Sequence, residues 1–392
     1  MIPAILLIIF ALIISAYLIH DYRGPKTIYL RKNNLFDIES LSARDLVVHE
    51  FDMEGNLWAS RGMILYCLKI GQHKFTRVAH VPTGFSFYWL NNFSLFRNFV
   101  NKPECIEATI TGDGHICALS AGFLWHCNGV DKKFTRSMKL PHYGLGVGRG
   151  VLSNGLLSVG ESKVYVGEYY RNSERTSVNI YVSNNNGLKW DIAHQFDPGT
   201  IRHIHTLKED PFTGKLWFSS GDYDDESMIG WSDDGFRTIN IIGKGSQSWR
   251  TAQLVFTEGA VYWGADTGSL DLAGIYRWDR ASGELSMLKK NDGAILYGTR
   301  LKGGLIAFTT DREGFPNEKD DKTRLLLVKG EKDISEKTIG TWKHSKKGLK
   351  YSFAMLRTQR TQDDSFLAIS VINQEEVKAG GILLIREPDL LN

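Results

Sequence analysis

Arg202-His203-Ile204-His205, followed by Gly214-Lys215-Leu216-Trp217 and Ser219-Ser220-Gly221-Asp222, is a passage that the chain goes on to write again. The second copy runs through Trp249-Arg250, Gly259-Ala260-Val261-Tyr262-Trp263 and Gly264-Ala265-Asp266. Each copy has a turn glycine, then an apolar run with an aromatic, then an acid. A short run of this kind, bounded by turn residues, reads as a β-strand.

The same unit extends in both directions from this passage. Its other copies are Gly55-Asn56-Leu57-Trp58, Gly114-His115-Ile116-Cys117, Ser162-Lys163-Val164-Tyr165, Gly303-Gly304-Leu305-Ile306 and Asp364-Ser365-Phe366-Leu367. Seven copies at a spacing of roughly 45 to 60 residues mark a repeat architecture. The first two check each other: Ala59, Tyr66 and Lys74-Phe75-Thr76-Arg77 return 59 residues later as Ala118, Trp125 and Lys133-Phe134-Thr135-Arg136. A second apolar run precedes each turn and further strands follow, giving four short strands per unit. Four-stranded units repeated at this period describe an all-β fold, a β-propeller over residues 45–392, with seven blades expected and six the alternative.

Composition agrees with that fold class. The 392 residues include 39 Gly, 20 Phe, 15 Tyr and 10 Trp, which suits many strands joined by tight turns. A net charge of only +3, with no long Lys/Arg block, argues against a nucleic-acid partner. Cys67, Cys105, Cys117 and Cys127 show neither a CxxC pair nor a zinc-like spacing with histidine, and free thiols are expected. Ahead of the repeats, Ile2 to Ile19 is an uncharged run that would extend about 27 Å as a helix, so residues 1–22 are expected to be a single-pass N-terminal membrane anchor. Residues 23–44 read as a basic linker, and the side of the membrane taken by the following domain stays open.

Two segments resemble the Asp-box of the sialidase-like, BNR-repeat propellers. Ser183-Asn184-Asn185-Asn186-Gly187-Leu188-Lys189-Trp190 has Asn185 in the Asp position, and Ser232-Asp233-Asp234-Gly235-Phe236-Arg237-Thr238 is one residue short and lacks the Trp. The resemblance implies a turn between the outer two strands of a propeller blade. The carboxylate-binding arginines, Tyr/Glu pair and acid/base Asp of sialidases have no residue-by-residue match in this chain.

In a propeller blade the start of the innermost strand and the end of the second open on one face. That frame places Arg149, Arg202, His203, Arg250 and Arg300 near inner-strand starts, and Glu168, Asp222, Asp266 and Asp311 after second strands. A mouth ringed by guanidinium groups and carboxylates suits an acidic sugar or another small anionic ligand. Asp222, Asp266 and Glu168 are the candidate acids for catalysis by a glycoside hydrolase or polysaccharide lyase. A non-catalytic propeller that binds a glycan or protein partner is the alternative, in which the same groups simply pair with each other. His203 and His205, two apart on a strand, point one way and would hold a divalent metal if a further ligand such as Gln247 or an acid joined them; the alternative, and the commoner case, is a pair of inner-strand histidines hydrogen-bonded within the channel. Trp249 and Tyr297 are candidates to stack on a sugar ring, against the alternative that they pack blades together.

Overall fold

The computed structural model describes residues 2–82, 90, 92–100, 106–144, 147–148, 150–269, 271–330, 333–343, 353–377 and 380–391. Seven antiparallel sheets follow one another around a central axis, as expected from the repeat. Their inner strands are Val47–Phe51, Glu107–Ile110, Leu156–Val159, His203–Glu209, Leu254–Phe256, Ile295–Arg300 and Met355–Thr358, in blades 1 to 7. Each copy of the sequence unit opens the second strand of one blade, from Leu57–Arg61 in blade 1 to Phe366–Ile372 in blade 7. These second strands are buried almost throughout because neighbouring blades cover both faces, so they read as continuous apolar runs rather than alternating ones. The 59-residue echo also has a structural cause. Ala59, Tyr66 and Arg77 lie side by side across three strands of blade 1, and Ala118, Trp125 and Arg136 do the same in blade 2.

Residues 23–44 are not a linker. Arg31–Leu35 and Ile38–Arg44 form the two outer strands of blade 7, where Leu41 pairs with Leu384 and Ala43 with Ile382. Thr27–Tyr29 adds a fifth strand to the outer edge of blade 1. The polar run Arg31-Lys32-Asn33-Asn34 looked like a linker because an outermost strand needs no apolar face, only main-chain partners. The N-terminal strands thus close the ring on the C-terminal blade and leave Ile38 in the same buried cluster as Leu367, Ile369 and Leu383.

The N-terminal apolar run forms helix α1 (Ile2–Arg23). Its C-terminal end docks on blade 1: Asp21 pairs with Arg61 at 2.8 Å and accepts from the Ser94 backbone and hydroxyl at 2.7 Å, while Arg77 donates to the Arg23 carbonyl at 2.8 Å. Nothing is described of the side chains of residues 2–10, 13 and 17, and among the described residues no helix is long and apolar enough to cross a membrane. The single-pass anchor expected over residues 1–22 is therefore not supported by the fold. Cys67, Cys117 and Cys127 are free and buried, and Cys105 lies outside the described residues.

Both Asp-box-like segments make the turn between third and fourth strands, in blades 3 and 4. Ser183 Oγ accepts the Gly187 N–H at 2.8 Å and donates to Asn185 Oδ1, which accepts the Lys189 N–H at 2.9 Å. Gly187 has φ 81°, and a Cβ there would lie 2.3 Å from Cys117 Sγ in the neighbouring blade, so only glycine fits. In the shorter copy Ser232 and Asp234 bond the turn in the same way, and Phe236, wholly buried 5.5 Å from the Tyr165 ring, takes the place of the missing Trp. This bonding organises a turn and carries no chemistry of its own.

Candidate functional site

The inner strand of blade 4 begins at one mouth of the axis with His203, and its second strand (Leu216–Gly221) ends there just before Asp222. His203 and His205 both turn toward this end, with ring centroids 5.0 Å apart. Their Nε2 atoms lie 3.1 Å from each other, and Asp222 Oδ1 lies 3.4 Å from His203 Nε2 and 3.2 Å from His205 Nε2. Among the described residues this trio is the only group of three His, Cys, Asp or Glu side chains close enough to share a metal ion. Gly221 lets the groups approach: a Cβ at that position would lie 3.1 Å from Arg250 Cγ and 3.2 Å from His205 Cε1.

Whether these residues suit a cation can be judged from their outer bonds. His203 Nδ1 is 2.8 Å from the Tyr170 carbonyl, which accepts only from an N–H, so Nε2 of the neutral ring carries a lone pair toward His205 and Asp222. His205 Nδ1 is buried without a hydrogen-bond partner, with Asp266 Oδ2 3.8 Å away. A proton on His205 Nδ1 toward Asp266 leaves two imidazole lone pairs and a carboxylate oxygen converging on one point. The carbonyl behind His203 is support of the kind found behind the histidine ligands of metal centres, while Asp266 stands near His205 Nδ1 without bonding it. The donor set, two nitrogens and one carboxylate oxygen, suits zinc, manganese or iron rather than calcium.

Two arginines flank the trio. Arg202 pairs with Asp222, and Arg250 Nη2 bridges Asp222 Oδ1 at 3.3 Å and Asp266 Oδ2 at 3.2 Å. Burial pushes the Asp222 carboxyl up, but the two histidines beside it, in the forms that carry a proton on Nε2, outweigh it and hold the group well below the usual carboxylate range, so a proton and a metal ion would compete for the same point. Burial moves His203 the other way, favouring its neutral ring, and His205 beside it adds to the effect. Gln247 braces the mouth from outside, donating to the Asp222 carbonyl at 3.1 Å and accepting from Arg250 at 3.4 Å.

The remaining expected site residues divide sharply. Asp266, Arg202, His203, His205, Arg250 and Gln247 gather with Asp222 at one mouth. Glu168 reaches the same end but is 1 % exposed, and its carboxylate accepts from the Asn179 backbone and side chain and from Tyr181, with His142 at 3.4 Å. A carboxylate so fully engaged is a structural acceptor, which corrects its expected catalytic role. Asp311 is likewise buried, accepts the Leu356 N–H at 3.2 Å, and is pushed well above its ordinary range by burial and by Glu313. Trp249 packs on Trp263 at 5.5 Å and covers Gly243, so it joins strands instead of facing a ligand. Tyr297 is 3 % exposed and bonds Ser153 at 3.2 Å in the wall of the axis, which corrects its expected stacking role. Arg300 closes its inner strand instead of opening it, and pairs with Asp363 at 3.0 Å on the opposite face. Arg149 lies outside the described residues.

Two residues at the mouth were not read from the sequence. The ring of Tyr169 lies 4.1 Å from that of His203 and 6.0 Å from that of His205, and it is partly exposed. Its signal was its place directly after Glu168, at a second-strand exit equivalent to that of Asp222. Glu313 follows the blade 6 second strand, and burial together with Asp266 pushes its carboxyl up to about 7. Glu318 holds the loop by accepting the Glu313 and Gly314 N–H groups at 2.9 and 3.1 Å.

No protein-family model matches this sequence, and no curated protein matches it. Solved structures do share its shape. An oligogalacturonate lyase from Vibrio parahaemolyticus superposes with a TM-score of 0.56 at 10% identity, covering 93% of this chain and 98% of that one. An oligogalacturonate lyase in complex with manganese gives a TM-score of 0.55 at 10% identity, covering 93% and 99%. The extracellular domain of a one-component system from B. thetaiotaomicron gives 0.50 at 10% identity, covering 91% of this chain and 39% of that one. At such identities the likeness establishes the seven-bladed fold alone.

Proposed function

We propose that the blade 4–5 mouth is a divalent-metal centre that binds the carboxylate of an acidic glycan and serves its cleavage by β-elimination. The observation that carries this reading is the convergence of His203 Nε2, His205 Nε2 and Asp222 Oδ1 within 3.4 Å of one another, with Arg202 and Arg250 on either side. A bound cation would act as a Lewis acid on a uronate carboxylate and make the adjacent carbon acid stronger. Were His203, His205 and Asp222 to hold a cation, Arg202 and Arg250 would be released to take the substrate carboxylate in bidentate fashion. Glu313, whose carboxyl burial and Asp266 push up to about 7, has a proton affinity suited to exchange with the substrate, and the Tyr169 ring stands beside His203 at the same mouth. In that reaction the proton on the carbon next to the carboxylate leaves, the bond from the neighbouring carbon to the glycosidic oxygen breaks, a carbon–carbon double bond forms, and the departing oxygen takes up a proton. The shared fold with a lyase crystallised with manganese supports the reading without establishing it.

A specific observation favours the second reading, a propeller that binds acidic glycans without cleaving them. Asp222 is already engaged by both arginines and both histidines, as a purely structural cluster would be. Calorimetry with MnCl2, then with oligogalacturonate, alginate and heparosan fragments in its presence, tests the metal and the ligand together. We expect one Mn2+ site per chain, glycan binding that disappears with EDTA, and loss of both in His203→Ala. Ultraviolet absorbance of an unsaturated uronate product then separates cleavage from binding. Failure of the wild-type protein to take up Mn2+, Zn2+ or Fe2+ would remove the metal centre.

A further inference from the structure

Directly after Asp222 an aromatic residue stands in the open. Tyr223 is 56% exposed, although its backbone is held: its carbonyl accepts the Glu226 N–H at 3.1 Å, the Ser227 N–H at 2.9 Å and the Ser227 hydroxyl at 2.7 Å. The ring neighbours the histidine mouth, because the guanidinium of Arg202, which pairs with Asp222, lies 5.9 Å from its centroid. Arg175 lies 5.4 Å from the same centroid. Both distances exceed the contact of about 3.5–4 Å at which a guanidinium would cover a ring face, so the ring keeps open surface of its own. Both histidines approach Asp222 Oδ1, whereas Arg202 takes Oδ2, so Tyr223 flanks the trio without covering it.

The charges about this ring are lopsided. Arg202 pairs with Asp222, and Arg175 with Glu226. The two loops that meet here, residues 171–175 and 222–226, carry besides these Arg171, Glu174, Asp224 and Asp225, all exposed and without an ion pair among the described residues. One unpaired cation thus stands against three unpaired carboxylates. A uronate lying on Tyr223 would be repelled by that excess, whereas the same carboxylates accept hydrogen bonds from the hydroxyls of a neutral sugar.

We propose that Tyr223 is the platform on which a neutral sugar stacks beside the uronate at the blade 4–5 mouth, so that the glycan taken by this site alternates uronate and neutral residues. This rests on the reading of the mouth as a uronate site and adds its specificity. A pyranose turns a face of C–H bonds toward an aromatic ring, whose own face is its electron-rich side. The fixed backbone of Tyr223 means that little order has to be imposed on the loop when the sugar binds.

The test is calorimetry of the full chain with MnCl2, titrated with heparosan and oligogalacturonate fragments of equal length. Heparosan, in which glucuronate alternates with N-acetylglucosamine, is expected to bind about tenfold or more tighter than oligogalacturonate, in which every residue is charged. Tyr223→Ala should abolish that preference with Mn2+ uptake unchanged, Tyr223→Phe should keep it, and the double variant Asp224→Asn/Asp225→Asn should narrow it by admitting oligogalacturonate. All three positions are exposed, and circular dichroism checks that the variants fold. The proposal is overturned if the parent binds oligogalacturonate as tightly as heparosan, if the preference survives unchanged in Tyr223→Ala or in the double variant, or if Tyr223→Ala loses Mn2+ uptake, as a ring that merely braces Arg202 would. A parent protein that takes up no Mn2+ and binds neither glycan fails the uronate reading itself, and the stacking site with it; Mn2+ uptake with glycan binding that shows no preference removes the stacking site alone.

Discussion

Asp222 lies against two imidazoles and two guanidinium groups, so the proposed metal site and the stability of the mouth both run through it. Its replacement by Asn keeps an acceptor but leaves two arginines under-neutralised, so Asp222→Asn is expected to lower stability by ~1–3 kcal/mol as well as to abolish metal binding; denaturant melts and calorimetry measure the two effects. Gly221→Ala separates them. The added methyl crowds His205 and Arg250 without removing a charge, and metal affinity should drop about tenfold with a smaller change in stability. Lys208 lies on the same inner strand, buried and without a hydrogen-bond partner, and burial lowers its amine to about 7 against a weaker opposing pull from Asp363 and Asp364. Its folded pKa lies below the unfolded value of 10.5, so the unfolded chain holds the extra proton between about pH 7 and 10.5. Stability contributed by this residue therefore rises with pH across that window, by at most ~1.4 kcal/mol per pH unit, and Lys208→Met should flatten the rise. A parent protein whose stability does not rise relative to Lys208→Met over that window would refute this account of the buried amine.

At the scale of elements, the repeat was legible because its signal is covalently local. A turn glycine followed by an apolar run recurs seven times, and each recurrence opens a second strand. The outer strands were harder to read. Arg31–Leu35 is polar because it borders solvent, and only main-chain pairing to Ile38–Arg44 and from there to blade 7 makes it part of the fold. Deleting residues 1–44 should therefore leave an unpaired edge at Gly381–Arg386 and open the cluster around Ile38, giving an aggregating protein by size-exclusion chromatography; a stable monomer would show that the closure is dispensable. The site was legible where backbone direction alone aims a side chain, as for His203, His205, Asp222 and Asp266. It was not legible where burial decides: Glu168, Tyr297 and Trp249 stand near suitable positions in the chain, but their polar atoms or rings are consumed by Asn179, Ser153 and Trp263. Arg300 shows a third limit, since a shift of where its strand begins moved it from one face of the molecule to the other.

Taken whole, the molecule is tied together across its axis by buried ion pairs. Arg357 makes two bonds to Glu107, at 3.0 and 2.7 Å, and Arg360 joins Glu50 at 2.8 Å and the Ser153 carbonyl at 3.1 Å, tying blade 7 across the axis to blades 1, 2 and 3. Glu107→Gln should cost ~3–5 kcal/mol because it leaves the Arg357 charge buried and poorly matched, and a thermal melt will show it without any change at the mouth of blades 4 and 5. Of the faces on either side of the axis, the first gathers the histidine, arginine and carboxylate groups of blades 4 and 5. The central claim concerns the first. Its most direct measurement is anomalous diffraction at the manganese edge from crystals grown with MnCl2. The account predicts one peak ~2.0–2.3 Å from His203 Nε2, His205 Nε2 and Asp222 Oδ1, and it is contradicted if manganese binds elsewhere, or not at all, while Asp222 stays on Arg202 and Arg250.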